Sequence, residues 1–382
     1  MAAPPLDDDD LLSEIILRLP PQPSSLPRAS AVAKRWRSLA SDPAFSRRFL
    51  RHHRRNPPLL GCFMEDVNEF RFESTLESPN RVPRARFSFP TDTGDGHLLL
   101  LGCRHGLLLL LHASQQTTEL FVWDPVESHK HPIAIPPGFS VNHGAVLPAA
   151  HGDIQNFQVV LVSIDVEHGV VARVYSSETG VWGDLITTPF PPNVSDLSPA
   201  QIARHLPAVL VGDALYMSLL GVSSGIIEFN VHMQSLAVVP LPVGLDSYAP
   251  HSYSLMRAEG GGPGLLYLSM SGAQFWKRKT DCDGVASWVL GRTIALENLL
   301  CLDVQNRWVQ IQGFAEENNV VFLWAFDIIF MIQLDSLQCK KLPEINSPNW
   351  YPFECVYAAG NIILHLQCLY DKTKHFFFLM IG

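Results

Sequence analysis

No apolar run in this 382-residue chain reaches the roughly 18 residues that a membrane-crossing helix needs. The nearest candidates, 98–111 and 320–332, are interrupted by Gly102-Cys103-Arg104-His105-Gly106 and by Asp327. The N-terminus lacks the basic-then-apolar order of an export signal, since Leu6 is followed by four aspartates. The seven cysteines are odd in number and include no Cys-x-x-Cys, which speaks against a disulfide framework and against a zinc module. The expectation is a protein with no membrane association, in the cytoplasm or nucleus, whose cysteines act mostly as small buried apolar residues. Charged residues are scarce too, at 17% against 47% hydrophobic, so most of the chain has enough apolar surface to fold.

Catalytic signatures are also missing. There is no His-Glu-x-x-His among fifteen histidines and no Gly-x-Ser-x-Gly. Gly260-Gly261-Gly262-Pro263-Gly264 has no Lys-Ser/Thr after it and reads as a loop between strands, not a phosphate cradle. His129 and His131 could face one side of a strand, but no Cys or carboxylate pattern completes a metal site. Cys103 beside Arg104-His105 reads as a buried thiol next to a turn. No cofactor and no metal are expected, and the chain is expected not to be an enzyme.

The charge that is present is unevenly placed. Residues 1–55 hold ten Lys/Arg and six Asp/Glu, leaving 18 and 31 of the total 28 and 37 for the rest. An acidic main body argues against general nucleic-acid binding. The arginine-rich stretch 47–55 reads as a helix with Phe45, Phe49 and His52 on its inner face and arginines outside.

Residues 9–56 have a helical period. Asp9 or Asp10 suits an N-cap, and Leu12, Ile15, Ile16 and Leu19 follow at i, i+3, i+4 and i+7. Pro20-Pro21 stops that helix. Ser24 or Ser25 can cap a second stretch with Pro27 in its first turn and Ala29, Val32, Trp36 and Leu39 as its apolar stripe, giving two or three short helices. Leu-Leu-Ser-Glu-Ile-Ile-Leu-Arg-Leu-Pro (11–20), Ser-Leu-Pro-Arg-Ala-Ser-Ala-Val-Ala-Lys-Arg-Trp-Arg-Ser-Leu (25–39) and Ser-Asp-Pro-Ala-Phe (41–45) resemble an F-box, especially those of grass F-box proteins. The resemblance departs at its opening, where Pro5-Leu6 replaces Leu-Pro, and at Pro27 and Ala33. It implies a module that docks a Skp-type adaptor, and through it a cullin-RING ubiquitin ligase. Leu12, Ile15, Ile16, Leu19, Pro20, Leu26, Val32 and Trp36 would supply the contact surface.

After Asn56-Pro57-Pro58 the pattern changes to short apolar runs set off by Gly, Pro, Asp and Asn. Pairs such as 107–111 with 120–123, 157–164 with 170–175, 214–220 with 225–229, and 320–326 with 328–334 read as hairpins. Only 198–206 offers a short helix. Anchors at Asp124, Ser176, Asn230 and Asp335 lie 52, 54 and 105 residues apart, and a missing one is expected near 280. A four-strand repeat of about fifty residues marks a kelch-type β-propeller blade, and 57–382 holds about six. Seven blades or a distorted sandwich also fit the repeat. The region resembles the F-box-associated β-propeller-like domains of plant proteins. Closure is expected between 59–63 and 376–381.

The domain expectation is therefore a flexible 1–8, a helical module at 9–56 and an all-β domain at 57–382. The combined reading is a non-catalytic receptor subunit that holds a target protein on its propeller. Trp276, Arg278, Trp350 and Tyr351, in loop-like sequence, are the candidate target contacts. A non-degradative scaffold and a propeller enzyme are the alternatives.

Overall fold

The computed structural model describes residues 8–357 except 67–68, 90–95, 149–155, 191–200, 204–205, 222–223, 246–251, 270–271, 284, 301–308 and 343–348. The chain divides into two compact units. One holds the residues up to Gly61 with Ser74–Pro83 and the chain from Glu354. The other holds Cys62–Glu73 and Arg84–Phe353.

In the first unit four helices follow one another: α1 (Asp9–Leu17), α2 (Ser25–Val32), α3 (Lys34–Ala40) and α4 (Pro43–His53). The single apolar stripe expected from Ala29 to Leu39 is cut at Ala33, whose extended backbone (φ −154°, ψ 156°) turns the chain between α2 and α3. Asp42 caps α4 through the Ala44 N–H at 3.1 Å, with Pro43 at its first position, where no donor is lost. Leu12, Ile16, Leu17, Leu26, Phe45 and Phe49 form the core of this unit together with Val356, so a residue from the far end of the sequence completes it.

The second unit is a six-bladed β-propeller. β1 (Leu59–Asp66) and β2 (Glu69–Ser74) come first in the chain and belong to the closing blade. Blade 1 holds β3 (His97–Arg104), β4 (Leu107–Ala113), β5 (Thr118–Asp124) and β6 (His129–Ile133). Blade 2 holds β7 (His143–Pro148), β8 (Phe157–Asp165), β9 (Gly169–Ser176), β10 (Val181–Trp182) and β11 (Ile186–Thr188). Blade 3 holds β12 (Gln201–Ile202), β13 (Val209–Val211), β14 (Ala214–Leu220), β15 (Gly225–Asn230) and β16 (Ser235–Pro240). Blade 4 holds β17 (Tyr253–Arg257), β18 (Pro263–Ser269), β19 (Gly272–Thr280) and β20 (Ala286–Ile294). A short helix, α5 (Leu296–Leu300), leads to blade 5, with β21 (Gln310–Ala315), β22 (Val320–Ala325), β23 (Ile328–Gln333) and β24 (Cys339–Leu342). β25 (Asn349–Glu354) completes the closing blade in the order β2-β1-β25.

The closing partner of β1 is thus β25; the expected partner, 376–381, lies outside the described residues. The seam is aromatic. The ring of Phe63 lies 5.1 Å from Phe353, 5.3 Å from Phe70 and Phe72, and 5.8 Å from Trp123, so residues from both ends of the propeller share one packed cluster.

The repeat seen in the sequence is a repeated turn. The third strand of each of blades 1 to 5 ends at or within two residues of 124, 176, 230, 280 and 335, which fills the gap near 280. Four residues after Asp124, Ser176 and Asn230 come Ser128, Gly180 and Gln234, all with positive φ, the left-handed residue of a type I turn with a bulge. Asp124 and Asn230 stabilise the turn by accepting from backbone N–H groups two or three residues ahead. A second repeat joins blades. Trp182 donates its indole N–H to Ala134 O (2.7 Å), and Trp288 does the same to Pro240 O (2.9 Å), in each case 48 residues upstream and one blade back.

Blade 3 breaks the pattern. Its first strand is split, and the segment 198–206 is not a helix where it is described, because Gln201 and Ile202 pair with Leu220 and Leu219. Six residues separate Ile202 from Val209, while the partner strand spends only Met217 and Ser218. The extra backbone serves neighbouring blades. Leu206 O accepts from His143 Nε2 of blade 2 (3.0 Å), and Ala208 O accepts from Arg104 Nη2 of blade 1 (2.9 Å).

Arg104 also reaches blade 5, donating to both oxygens of Glu316 at 3.2 and 2.5 Å. Glu316 accepts in addition from Leu210 N–H of blade 3 at 3.0 Å. Blades 1, 3 and 5 are not neighbours in a ring of six, so groups from all three can meet only at its centre. Arg257 of blade 4 adds a bond to Leu210 O (3.0 Å) and an ion pair with Glu317 (3.1 Å). The turn after β21 is therefore the hub of a polar cross-brace across the axis.

Candidate functional site

The helical unit owes its geometry to its caps. Asp8 opens α1 by accepting from the N–H groups of Asp10 (2.8 Å) and Leu11 (3.2 Å), and Asp9 and Asp10 complement the positive helix end. The cap thus lies one or two residues earlier than the sequence suggests. Arg35 of α3 bonds Asp9 at 2.7 Å, which sets the α2–α3 junction beside the first turn of α1. Arg48 of α4 reaches Ser13 and Glu14 on α1. Such exposed ion pairs contribute little energy and serve here mainly to orient.

The eight side chains expected to form one docking surface divide. Leu12, Ile16 and Leu26 point into the core of the unit, and Leu19 and Trp36 are partly buried against it. Ile15, Pro20 and Val32 are exposed. The apolar column that faces outward on α1 is Leu11 with Ile15, 48% and 43% exposed, and Val32 at the end of α2 is 65% exposed. Leu11 was missed by the stripe argument. The signal was in the doublets Leu11-Leu12 and Ile15-Ile16, which give a helix two adjacent apolar columns when its own core needs one.

On α4 the inner face is Phe45, Phe49 and His53; His52, expected there, is exposed. The His53 ring lies 4.5 Å from that of Phe49, and its Nε2 donates to Leu17 O at 2.8 Å, which fixes the tautomer. Burial lowers the His53 pKa below its ordinary 6.5, against the opposing pull of the Leu17 carbonyl. The unfolded chain then takes up the proton first as pH falls. His53 contributes its full stabilisation above pH 6.5, and the contribution declines as pH drops from there through the lowered folded value. Thermal melts at pH 7.5 and 5.5 are expected to show a larger acid loss for the wild type than for His53→Gln; equal losses would remove His53 from the account.

The four expected target contacts fare differently. Trp350 and Tyr351 are 1% and 2% exposed, on β25 within the closing blade, and cannot serve as surface anchors. Trp276 and Arg278 lie on β19, not in a loop. Trp276 is half-buried and donates to Gln274 Oε1 (3.1 Å). Arg278 bonds Glu228 at 2.7 Å, whose other oxygen accepts from Tyr216 OH (3.1 Å). These bonds link blade 3 to blade 4, and the Tyr216 hydroxyl is pushed up to about 12 by burial and then by the Glu228 carboxylate. His131 Nε2 lies 3.2 Å from Tyr175 OH. Among the described residues no group of three or more His, Cys, Asp or Glu is placed to hold a metal ion.

No curated protein matches. Among solved structures, a protein of unknown function from Bacteroides thetaiotaomicron has TM-score 0.36 and 11% identity, covering 77% of this chain and 84% of that one. The α-L-arabinanase of Penicillium chrysogenum complexed with arabinobiose has TM-score 0.33 and 11% identity, covering 71% and 84%. A fungal alcohol oxidase of the AA5 family in complex with copper has TM-score 0.40 and 10% identity, covering 67% and 55%. Likenesses so distant carry no conclusion about activity. Family models are more specific. The F-box domain matches residues 8–48, the capped helices just described, and the model described as F-box protein AT5G49610-like, beta-propeller matches 99–357, most of the chain. The chain therefore belongs to the AT5G49610-like F-box proteins, with an F-box at its N-terminus and a β-propeller after it.

Proposed function

We propose that this protein is the target-recognition subunit of an SCF-type ubiquitin ligase, with the F-box docking a Skp-type adaptor and the propeller holding a target protein. One observation carries the reading: within an F-box whose core is already filled, Leu11, Ile15 and Val32 stay exposed. Large apolar side chains left outside a completed core suit a partner that covers them. The chain itself then does no bond chemistry. It raises the concentration of a target lysine near a charged ubiquitin carrier in the assembled complex.

The test separates the outward column from the inward one. Ile15→Asp is expected to leave the melting temperature nearly unchanged while abolishing co-purification with the adaptor. Ile16→Asp, which puts a charge into the core, is expected to unfold the module. Retained adaptor binding in Ile15→Asp and Leu11→Asp, with the fold intact, would sink the proposal. Cullin in the purified complex distinguishes a ligase receptor from a scaffold that stops at the adaptor.

A further inference from the structure

The outer strand of blade 4 differs from those of the other blades. β20 has nine residues, whereas β6 has five, β16 six and β24 four, and in blade 2 two short pieces, β10 and β11, share the position. An outermost strand presents unpaired N–H and C=O groups, and proteins commonly blunt such edges with proline, lysine or other charges. Those devices are present elsewhere: Lys130 and Pro132 in β6, Pro240 in β16, and Lys340 with Lys341 in β24. β20 has neither proline, lysine nor an acidic residue. Its one charge, Arg292, is engaged inward, over the Phe275 ring at 4.6 Å and with Glu259 at 2.9 Å. A register shift opposite Phe275/Trp276 leaves Ala286–Leu290 as the regular stretch, with no further strand paired to it among the described residues, with Val289 and Leu290 exposed and Val285 exposed just before it.

The charge on the strand that backs the open part of this edge is basic, and the acidic residues nearby, Asp281 and Asp283, lie in the β19–β20 turn, where Asp281 caps the turn by accepting from the N–H groups of Asp283 and Val285. Lys277 is paired with Val289 and Lys279 with Ser287, so both lysines share the face of β20 that carries Val289. Neither lysine has an ion-pair partner among the described residues, in a chain whose net charge is −9. On the opposite face Arg278 is committed to Glu228 and Trp288 to Pro240 O, while Leu290, paired with Trp276, stays exposed there.

We propose that β20 accepts an extended acidic segment of a partner protein as a fifth strand of blade 4. The backbone edge supplies the hydrogen bonds, Val289 and Leu290 the apolar contact, and Lys277 and Lys279 select carboxylates at alternate positions of the incoming strand. Naming the partner as the ubiquitylation target rests on the function proposed above; the strand-addition site itself does not.

The experiment uses the full-length chain and two pools of nine-residue peptides. In both pools Val, Ile or Thr alternates with a charged residue, Asp or Glu in one and Lys in the other. The chain is expected to retain the acidic pool selectively. Lys277→Glu/Lys279→Glu is expected to weaken that binding about tenfold or more and to shift preference to the lysine pool. N-methylation of alternate peptide amides is expected to abolish binding, as strand pairing requires and simple charge attraction does not. Val289→Lys, which guards the edge, should abolish binding to both pools, while Ile15→Asp should leave it intact and so keep this test separate from that of adaptor docking. Equal retention of the pools, no retention of either, indifference to the lysine reversal, or a Val289→Lys effect confined to self-association would each overturn the proposal.

Discussion

Replacing Glu316 with alanine is expected to destabilise the propeller by about 3–5 kcal/mol, because it strands the Arg104 guanidinium at the axis without its counter-charge. The two side chains are only 8% and 10% exposed, so water cannot take over the missing carboxylate. Arg104→Ala should cost about as much. The double variant Arg104→Met/Glu316→Leu should cost clearly less than the two singles added together, since it removes both charges at once. Some cost remains, because Leu210 N–H and Ala208 O each lose a partner that they have now. Urea unfolding of the three variants gives the comparison. A loss below about 1 kcal/mol for Glu316→Ala would mean that the brace is solvated.

A loss of similar size, about 3–5 kcal/mol, is expected for Phe63→Ala. Phe63 is fully buried, and its ring meets those of Phe70, Phe72, Phe87, Trp123 and Phe353. Removing it opens a cavity at the seam where β1 meets β25, a place bounded by three strands and several large rings that cannot all collapse inward. Phe353→Ala touches the same void, so the double variant should fall short of the summed singles. Full additivity in a denaturant titration would show that the two rings do not share a cluster. The two experiments probe different fasteners of the ring, one polar at the axis and one aromatic at the closure.

The blade repeat was legible because it is written in turn chemistry. Asp124 and Asn230, followed four residues later by a left-handed Ser128 and Gln234, fix a hairpin from local backbone preferences alone. The anchors could therefore be counted without knowing what the strands pack against. The same was true of the helices, whose caps and prolines stand next to the turns that they end. Periodicity failed where it had to choose a side. Leu11-Leu12 and Ile15-Ile16 look alike in a helical wheel, and only the arrival of Phe45, Phe49 and Val356 made one column the inside. Trp350-Tyr351 looked like a loop anchor for the same kind of reason, since the strand that covers it begins almost 300 residues earlier, at Leu59.

By itself the sequence determined the class of the fold, the fifty-residue repeat, the F-box and the absence of familiar catalytic patterns, because each of these depends on residues a few positions apart. Tertiary structure decided which apolar side chains stay outside, which strand closes the ring, what crosses its axis and, among the described residues, which outer strand runs longest. These outcomes depend on groups such as Arg104 and Glu316, 212 positions apart in the chain, whose meeting no local propensity encodes.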